Sequence, residues 1–448
     1  QRYRSSRSRA IMNFFASSPV IANPDVCIVG GGAAGVSAAV ACGRLGLKTL
    51  LLEKYGFCGG ATVAGLSGTI CGLYGSGKKP EQIVFGFAGE FHQRLAAVGG
   101  AYPAIPFGHT KLVPHDSFLW KFVADQLLAE SNVQMLFHAY FLGAEVDEAK
   151  HIRGLFVKLL EGFRTICPRM VIDASGDAIV VHSIGGKTSL GRNGIVQAPT
   201  MIFRLGGVDM PKFFALPPNE ICEAVEVADR SMQYRLPRHH VYIFPMPNHR
   251  EVLCNMTRIT FSDGRVPMGI SSDDMTFAEQ EGRRQAIEYA RFLKDRFAAF
   301  RDSYLVETGA QVGIRQTRSI HALKRLTNED VVRARKYSGA MAHSAWPIEA
   351  HGAGKLEIVH LNDNYYEVPF ETLVPQSGSN LIVAGRCLDA EHEALASVRV
   401  TAQCFSMGYA AGAAAHLAIT EKIPTQALTG ERVVAWMNEH GLKTSHER

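Results

Sequence analysis

The segment DVCIVGGGAAGVSAAVACGRLGLKTLLLEK, Asp25 to Lys54, decides how this chain folds. VCIV is a short apolar run that reads as a buried strand. Gly30, Gly32 and Gly35 then fall in G-x-G-x-x-G spacing and open AGVSAAVACGRLG, a helix with a small-residue face. KTLLLE reads as a second buried strand ending in Glu53. Gly30 permits a tight turn, Gly32 lets backbone approach a pyrophosphate, and Gly35 lets the helix pack on the strand. The helix start offers free N–H groups and partial positive charge to phosphates. Glu53 lies 18 residues beyond Gly35, where a carboxylate accepts from ribose hydroxyls. That favours a dinucleotide with a free 2′-hydroxyl, FAD or NAD.

Moving outward, YGFCGGATVAGLSGTICGLYGSGKKP (Tyr55–Pro80) carries eight glycines. Such a backbone can bend repeatedly against a flat ligand. A Gly-Gly-x-Thr segment directly after the ribose acid resembles FAD proteins of the glutathione-reductase type. RMVIDASGD (Arg169–Asp177) reads as a buried strand and is similar to the strand that closes the FAD domain in those proteins. NLIVAGRCLDAEHEALASVRVTAQCFSMGYAAGAAAHLAI (Asn380–Ile419) reads as a strand, a charged loop and a helix of small residues. Together with GIRQTRSI (Gly313–Ile320) and YYEVPFETLVP (Tyr365–Pro375), it resembles the broad FAD-dependent oxidoreductase family. That family is related to the fumarate reductase and succinate dehydrogenase flavoproteins. The resemblance runs from Asp25 to Leu417 and implies FAD and redox chemistry. It implies cofactor contacts at Gly30, Gly32, Ala33, Ala34, Gly35, Glu53 and Lys54, then at Cys58, Gly60, Ala61 and Thr62. Further implied contacts are Tyr140, Ala174, Ser175, Gly176, Gly385, Arg386, Ser397 and Val398. It leaves the substrate open, because one fold hosts many reactions.

The expected fold class is α/β: a Rossmann-like FAD-binding domain with a parallel sheet, plus an inserted α+β substrate domain with a mainly antiparallel sheet. Expected bounds are a basic arm at 1–23, the FAD domain at 24–186, the substrate domain at 187–370, the returning FAD part at 371–425, and a terminal helix and tail at 426–448. TMIFRLGGV, HHVYIFPMP and EVLCNMTRITF supply strand-like pieces of the insert, and TFAEQEGRRQAIEYARFLKDRFAAF (Thr276–Phe300) a long helix.

The totals exclude several classes. The chain has 448 residues, 47% hydrophobic and 20% charged, with net charge +5. Four arginines in the first ten residues account for all but one of those charges. No basic face for nucleic acid is expected. Nine scattered cysteines form no CxxC pair, which argues against a disulfide framework, a zinc site or an iron–sulfur cluster. A cytoplasmic protein with reduced thiols is expected, and no apolar run is long enough to span a membrane. The opening residues read as a tag remnant or an arm before Met12 rather than an export signal. A homo-oligomer remains open.

No second G-x-G-x-x-G with an acid appears, and no CxxxxC pair follows Glu53. Electrons are therefore expected from the substrate itself, a small organic molecule, or from a partner, passing to an unidentified acceptor without a separate NAD(P)H domain. Acid–base candidates lie in HSAWPIEAHGAGKLEIVH (His343–His360), where His351 leads and a histidine merely bonding a loop is the rival. Glu349 stands where the family commonly has an aspartate. Arg399, at the start of the small-residue helix, either reinforces that helix end's positive charge towards the flavin or grips a substrate carboxylate, and Arg315 either binds an anion or joins the domains; for Arg399 the rival is a salt bridge to Glu391 or Glu393. His392 is placed beside substrate or as a loop holder. Cys58, just before Gly59-Gly60, either reacts with the flavin or is an inert filler. Three functions are open: a dehydrogenase or oxidase, a reductase of an activated C=C bond, or a non-enzymatic flavoprotein subunit or redox sensor.

Overall fold

The computed structural model describes residues 18–247, 250–351, 357–361 and 363–442. The four arginines of the arm, Lys355 and the tail from 443 lie outside them.

Five parallel strands form the central sheet, in the order Leu381–Val383, Met170–Asp173, Val26–Val29, Thr49–Leu52 and Gln134–Leu136. The four residues of each of the three middle strands are buried and almost wholly apolar, as a parallel sheet covered on both faces requires. The glycine-turn strand is thus central, flanked by the strand ending in Asp173 and the one leading to Glu53. The expected strand–helix–strand unit is present as Val26–Val29, Ala33–Arg44 and Thr49–Leu52.

The helix Ala33–Arg44 packs along the helix Thr401–Glu421. Their approach explains why the second helix lacks bulk. A Cβ on Gly408 would stand 2.0 Å from the Ala34 carbonyl oxygen, and one on Gly412 2.7 Å from the Ala41 Cβ. The Ser37 hydroxyl donates to the Phe405 carbonyl at 2.7 Å across the seam. The charged loop ahead of this helix is partly helical itself: His392–Val398 forms a short helix, Arg399 ends it, and Val400 starts the next. Sequence reading had a charged loop leading into one helix of small residues.

A second sheet is antiparallel, in the order Tyr242–Pro245, Glu251–Asn255, Phe203–Gly206 and Tyr304–Thr308. Phe203, Leu205 and Val252 from it pack with Tyr289, Phe292 and Leu293 of the helix Ser272–Arg296. That helix starts four residues before the expected Thr276, because the Ser271 hydroxyl accepts from the Asp274 N–H as an N-cap. Its first turn holds Asp273 and Asp274 and its last Lys294 and Arg296, each suited to the helix dipole. The expected mixed fold, one parallel sheet plus an antiparallel one with helices, is the fold observed. A further three-stranded sheet, Thr69–Ile70, Thr110–Pro114 and Ile105–Phe107, brings Phe107 and Leu112 to the same cleft.

Candidate active site

A cavity of about 390 Å³ opens where the parallel strands end, touching Val29 and Gly30, Leu52 and Glu53, Ala174, and Ala384 and Gly385. Ligands of open α/β sheets bind outside these carboxyl ends.

The glycine turn forms one side. Gly30 has φ +105°, and a Cβ there would lie 2.7 Å from the Ala174 oxygen, so only glycine fits. Gly32 is different. Its φ of −71° suits any residue, and a Cβ there would meet nothing nearer than the Gly60 Cα at 3.8 Å. The protein's own packing does not require glycine at 32; the space it leaves belongs to the cavity. No side chain caps the helix that begins at Ala33, so its first N–H groups remain for an anion. The Glu53 carboxylate accepts from the Gly31 N–H at 2.7 Å and the Tyr55 N–H at 2.9 Å. Burial raises its pKa, and these two N–H bonds oppose that. Each carboxylate oxygen keeps a lone pair for a ribose hydroxyl. Asp173, wholly buried, accepts from the Ser175 hydroxyl at 2.5 Å and the Val180 N–H at 2.8 Å. Those bonds set the turn at Ser175 and Gly176. Arg386 pairs with Asp177 beside Gly176.

The other side is built from later segments. Phe107 stacks on Trp346, with ring centres 5.0 Å apart, and also meets Tyr242 at 5.0 Å. The Trp346 indole N–H donates to Glu349 at 3.1 Å. Burial raises the Glu349 pKa, although Trp346 and three arginines, Arg399, Arg238 and Arg315, work against it. His351 is pushed well below the usual histidine value, first by burial and then by Arg315, Arg238 and Arg399. It is therefore neutral at neutral pH. Burial and mutual repulsion also depress Arg315, and Arg399 falls to about 10. A guanidinium in a protein stays protonated at neutral pH.

Of the candidate residues, most line this one cavity. They include Gly30, Gly32, Ala33, Ala34, Glu53, Lys54, Gly60, Ala61, Thr62 and Tyr140. Ala174, Ser175, Gly176, Gly385, Arg386, Arg315, His351 and Arg399 line it too. Five do not. Gly35 acts through packing, since a Cβ there would strike the Gly30 oxygen at 1.8 Å. Cys58 is wholly buried behind the turn, where a Cβ on Gly31 would come within 2.8 Å of its sulfur. Burial drives its thiol pKa upward, so it sits as a neutral filler and not beside the ligand space. Ser397 and Val398 are buried one layer back; the Ser397 hydroxyl donates to the Trp346 carbonyl at 2.5 Å and bonds Tyr366 at 2.7 Å. His392 also stays outside the lining, and its carbonyl accepts from the Gln197 amide at 3.2 Å. The same Gln197 accepts from Arg399 at 2.9 Å. The rival pairing of Arg399 fails, because Glu391 accepts from the Asn328 N–H and Glu393 pairs with Arg192.

Comparison with known proteins decides the family. The family described as FAD dependent oxidoreductase matches residues 25–437. The chain belongs to the FAD-dependent oxidoreductase family. Its cofactor is FAD. A comparison with curated protein sequences finds no match. Among solved structures it is similar to a geranylgeranyl bacteriochlorophyll reductase-like protein from Thermoplasma acidophilum. Identity is 12%, coverage is 94% of this chain and 84% of that one, and the TM-score is 0.48. It is similar also to a flavin-dependent brominase (12% identity, 93% and 83% coverage, TM-score 0.48). A third is an aromatic hydroxylase from angucycline biosynthesis (13% identity, 94% and 69% coverage, TM-score 0.46).

The residues of this FAD-dependent oxidoreductase fit the cofactor: a ribose acid, an uncapped helix start, and a glycine whose missing side chain leaves ligand space. Sequence reading missed Arg238, Tyr242 and Phe107 on the far side. No local motif marks them, and only the folding of the antiparallel sheet and the three-stranded sheet onto the cleft assembles them. Among the described residues no helix is long and apolar enough to cross a membrane, and all nine cysteines are free.

Proposed function

We propose that this flavoprotein oxidises a small organic substrate, with His351 taking the proton that the substrate loses. The observation that carries the reading is a buried, neutral histidine opening on the same cavity as the glycine turn and Glu53. When bound, FAD supplies hydride acceptance at N5. His351 has the protonation state of a general base. The cationic surroundings that strip its proton also favour a substrate oxygen that becomes negative as its proton leaves. Phe107, Tyr242 and Trp346 wall the space with apolar surface and exclude water. Glu53, Lys54 and the helix start hold the dinucleotide, and Arg386 with Asp177 fixes the turn at Gly176. Oxygen, a quinone or another external acceptor would take the two electrons that the substrate gives up.

Anaerobic photometry tests this. A panel of alcohols, amines and hydroxy acids is mixed with the oxidised protein, and one class is expected to bleach the flavin absorbance. If none does, and photoreduced protein is instead reoxidised by an enoate, oxidation is the wrong direction. Glu349, whose pKa burial raises, would then serve as the acid of a C=C reductase.

A further inference from the structure

Three arginines, Arg238, Arg315 and Arg399, line the far side of the cavity. They come from three separate segments, so no helix periodicity or local turn brings them together. Most arginines on the protein's surface and seams have carboxylate partners. Arg204 pairs with Glu251 and Glu307, Arg325 with Asp389, and Arg386 with Asp177. These three have no ion pair among the described residues. Their bonds are to neutral groups. Arg238 donates to the His240 carbonyl at 2.8 Å and to Asn255 at 2.6 Å, Arg315 to the Ala198 carbonyl at 2.7 Å, and Arg399 to Gln197 at 2.9 Å. These contacts hold the guanidinium groups in place without neutralising them.

Donors are also left over. Arg238 Nη2 and Arg399 Nε are buried and have no hydrogen-bond partner among the described residues. Arg238 is 6% exposed. An uncompensated buried charge is costly, and a donor left unsatisfied adds to the cost. Glu349 faces all three arginines electrostatically among the described residues, and it already accepts from Trp346. One carboxylate against three guanidiniums leaves the pocket at least two positive charges in excess. Arg258 adds to the same field at His351. The dinucleotide's phosphates have their own site at the glycine turn, formed by the uncapped helix start. Beside the arginines stand the aromatic walls of Phe107, Trp346 and Tyr242, with Arg238 lying 5.5 Å over the Tyr242 ring.

We infer that the substrate is a small organic carboxylate. Its carboxyl group is gripped by Arg238, Arg315 and Arg399, and its carbon body lies against Phe107, Trp346 and Tyr242. This rests on the oxidation reading above and names its substrate class. Arg238 is the specificity residue. It lines the cavity without a carboxylate partner among the described residues, and a guanidinium suits an acceptor with two oxygens. A neutral amide of the same shape would carry donors of its own towards these donors, leaving the charges unmet.

The test uses the FAD-loaded, oxidised protein and dead-end probes, with no turnover. Benzoate against benzamide, and malonate against malonamide, are titrated by the change in flavin absorbance. At least one carboxylate is expected to bind about tenfold or more tightly than its amide, consistent with a charged hydrogen-bonded contact. Arg238→Gln and Arg399→Gln are expected to raise that Kd by about tenfold or more, while FAD content is retained; Arg238→Lys should recover part of the loss. Amides binding as tightly as carboxylates in the unmodified protein would overturn the inference, whether or not the variants fold. So would an Arg238→Gln protein that loses FAD but, once reloaded, binds carboxylate unchanged, because the arginine would then serve the cofactor. The two readings fail separately. Carboxylates that bind while no compound bleaches the flavin sink the oxidation and spare the anion site. A neutral substrate that bleaches the flavin, with carboxylates failing to bind, does the reverse.

Discussion

Gly408→Ala is the sharpest probe of how the cofactor turn is held. The new methyl would start 2.0 Å from the Ala34 oxygen and 2.2 Å from the Ser37 hydroxyl. Ordinary contact begins near 3.4 Å, so the two helices must separate by more than an ångström or one must rotate. Overpacking of this kind costs about 1–3 kcal/mol. Replacing a helix-interior glycine by alanine returns about 1 kcal/mol through propensity. The net is a loss of up to about 2 kcal/mol. Ala34 also lines the cavity proposed for FAD, so cofactor affinity should fall together with stability, by up to about tenfold to thirtyfold if the whole strain relaxes when the turn opens. Urea denaturation and FAD titration measure the two effects. Gly143→Ala is the control, since a Cβ at Gly143 meets nothing within 4 Å, and it should be neutral or slightly stabilising. If Gly408→Ala matches the unmodified protein in both assays, the close seam between the helices is not what holds the turn.

Other outcomes follow from the same geometry. Glu53→Gln exchanges a carboxylate bonded to two N–H groups for a neutral amide and should weaken FAD binding about tenfold to a hundredfold, read by flavin fluorescence. His351→Gln should retain FAD but slow anaerobic flavin reduction by about 10²–10⁴-fold. Because the His351 pKa lies below 6.5, activity should hold at neutral pH and fall only as pH drops beneath that value; a fall centred above it would contradict a neutral base. His115 is wholly buried, its ring nitrogens lack partners among the described residues, and burial pulls its pKa down to about 4. The unfolded chain binds that proton near 6.5, so stability is full above 6.5 and is lost as pH falls towards 4, by about 3 kcal/mol in total. His115→Phe should flatten this part of the stability–pH curve; an unchanged slope assigns it to other groups.

The nucleotide half was legible because it is local. Asp25–Lys54 carries its strand, turn, helix and acid in consecutive residues, and each has a sequence mark tied to backbone geometry. The antiparallel strands were legible through apolar alternation, although Ser271 moved the start of the long helix. The substrate half was only partly legible. His351 and Arg315 stood out by residue type, but Arg238 sits in RLPRHH with nothing to mark it. Cys58 shows the limit from the other direction: adjacency to Gly59-Gly60 located the turn, while the side of the turn on which the sulfur lies depends on three-dimensional packing. His392 and Ser397 failed for a similar reason. The short helix His392–Val398 directs them into supporting layers, and no pattern in the charged loop fixes that direction.

The seam between Ala33–Arg44 and Thr401–Glu421 joins residues far apart in the chain; the bond from Ser37 to Phe405 spans 368 positions. Contacts of such separation slow folding, because the intervening chain must be organised before they form. Synthesis proceeds at about 5–20 residues per second, so on the ribosome the glycine-turn helix waits roughly 20–70 s for its partner. During that interval its small-residue face is bare and its cofactor cradle lacks a wall. Nascent chains that end before Thr401 should therefore neither capture FAD nor resist protease, and cofactor capture follows the emergence of Thr401–Glu421 rather than that of the glycine turn.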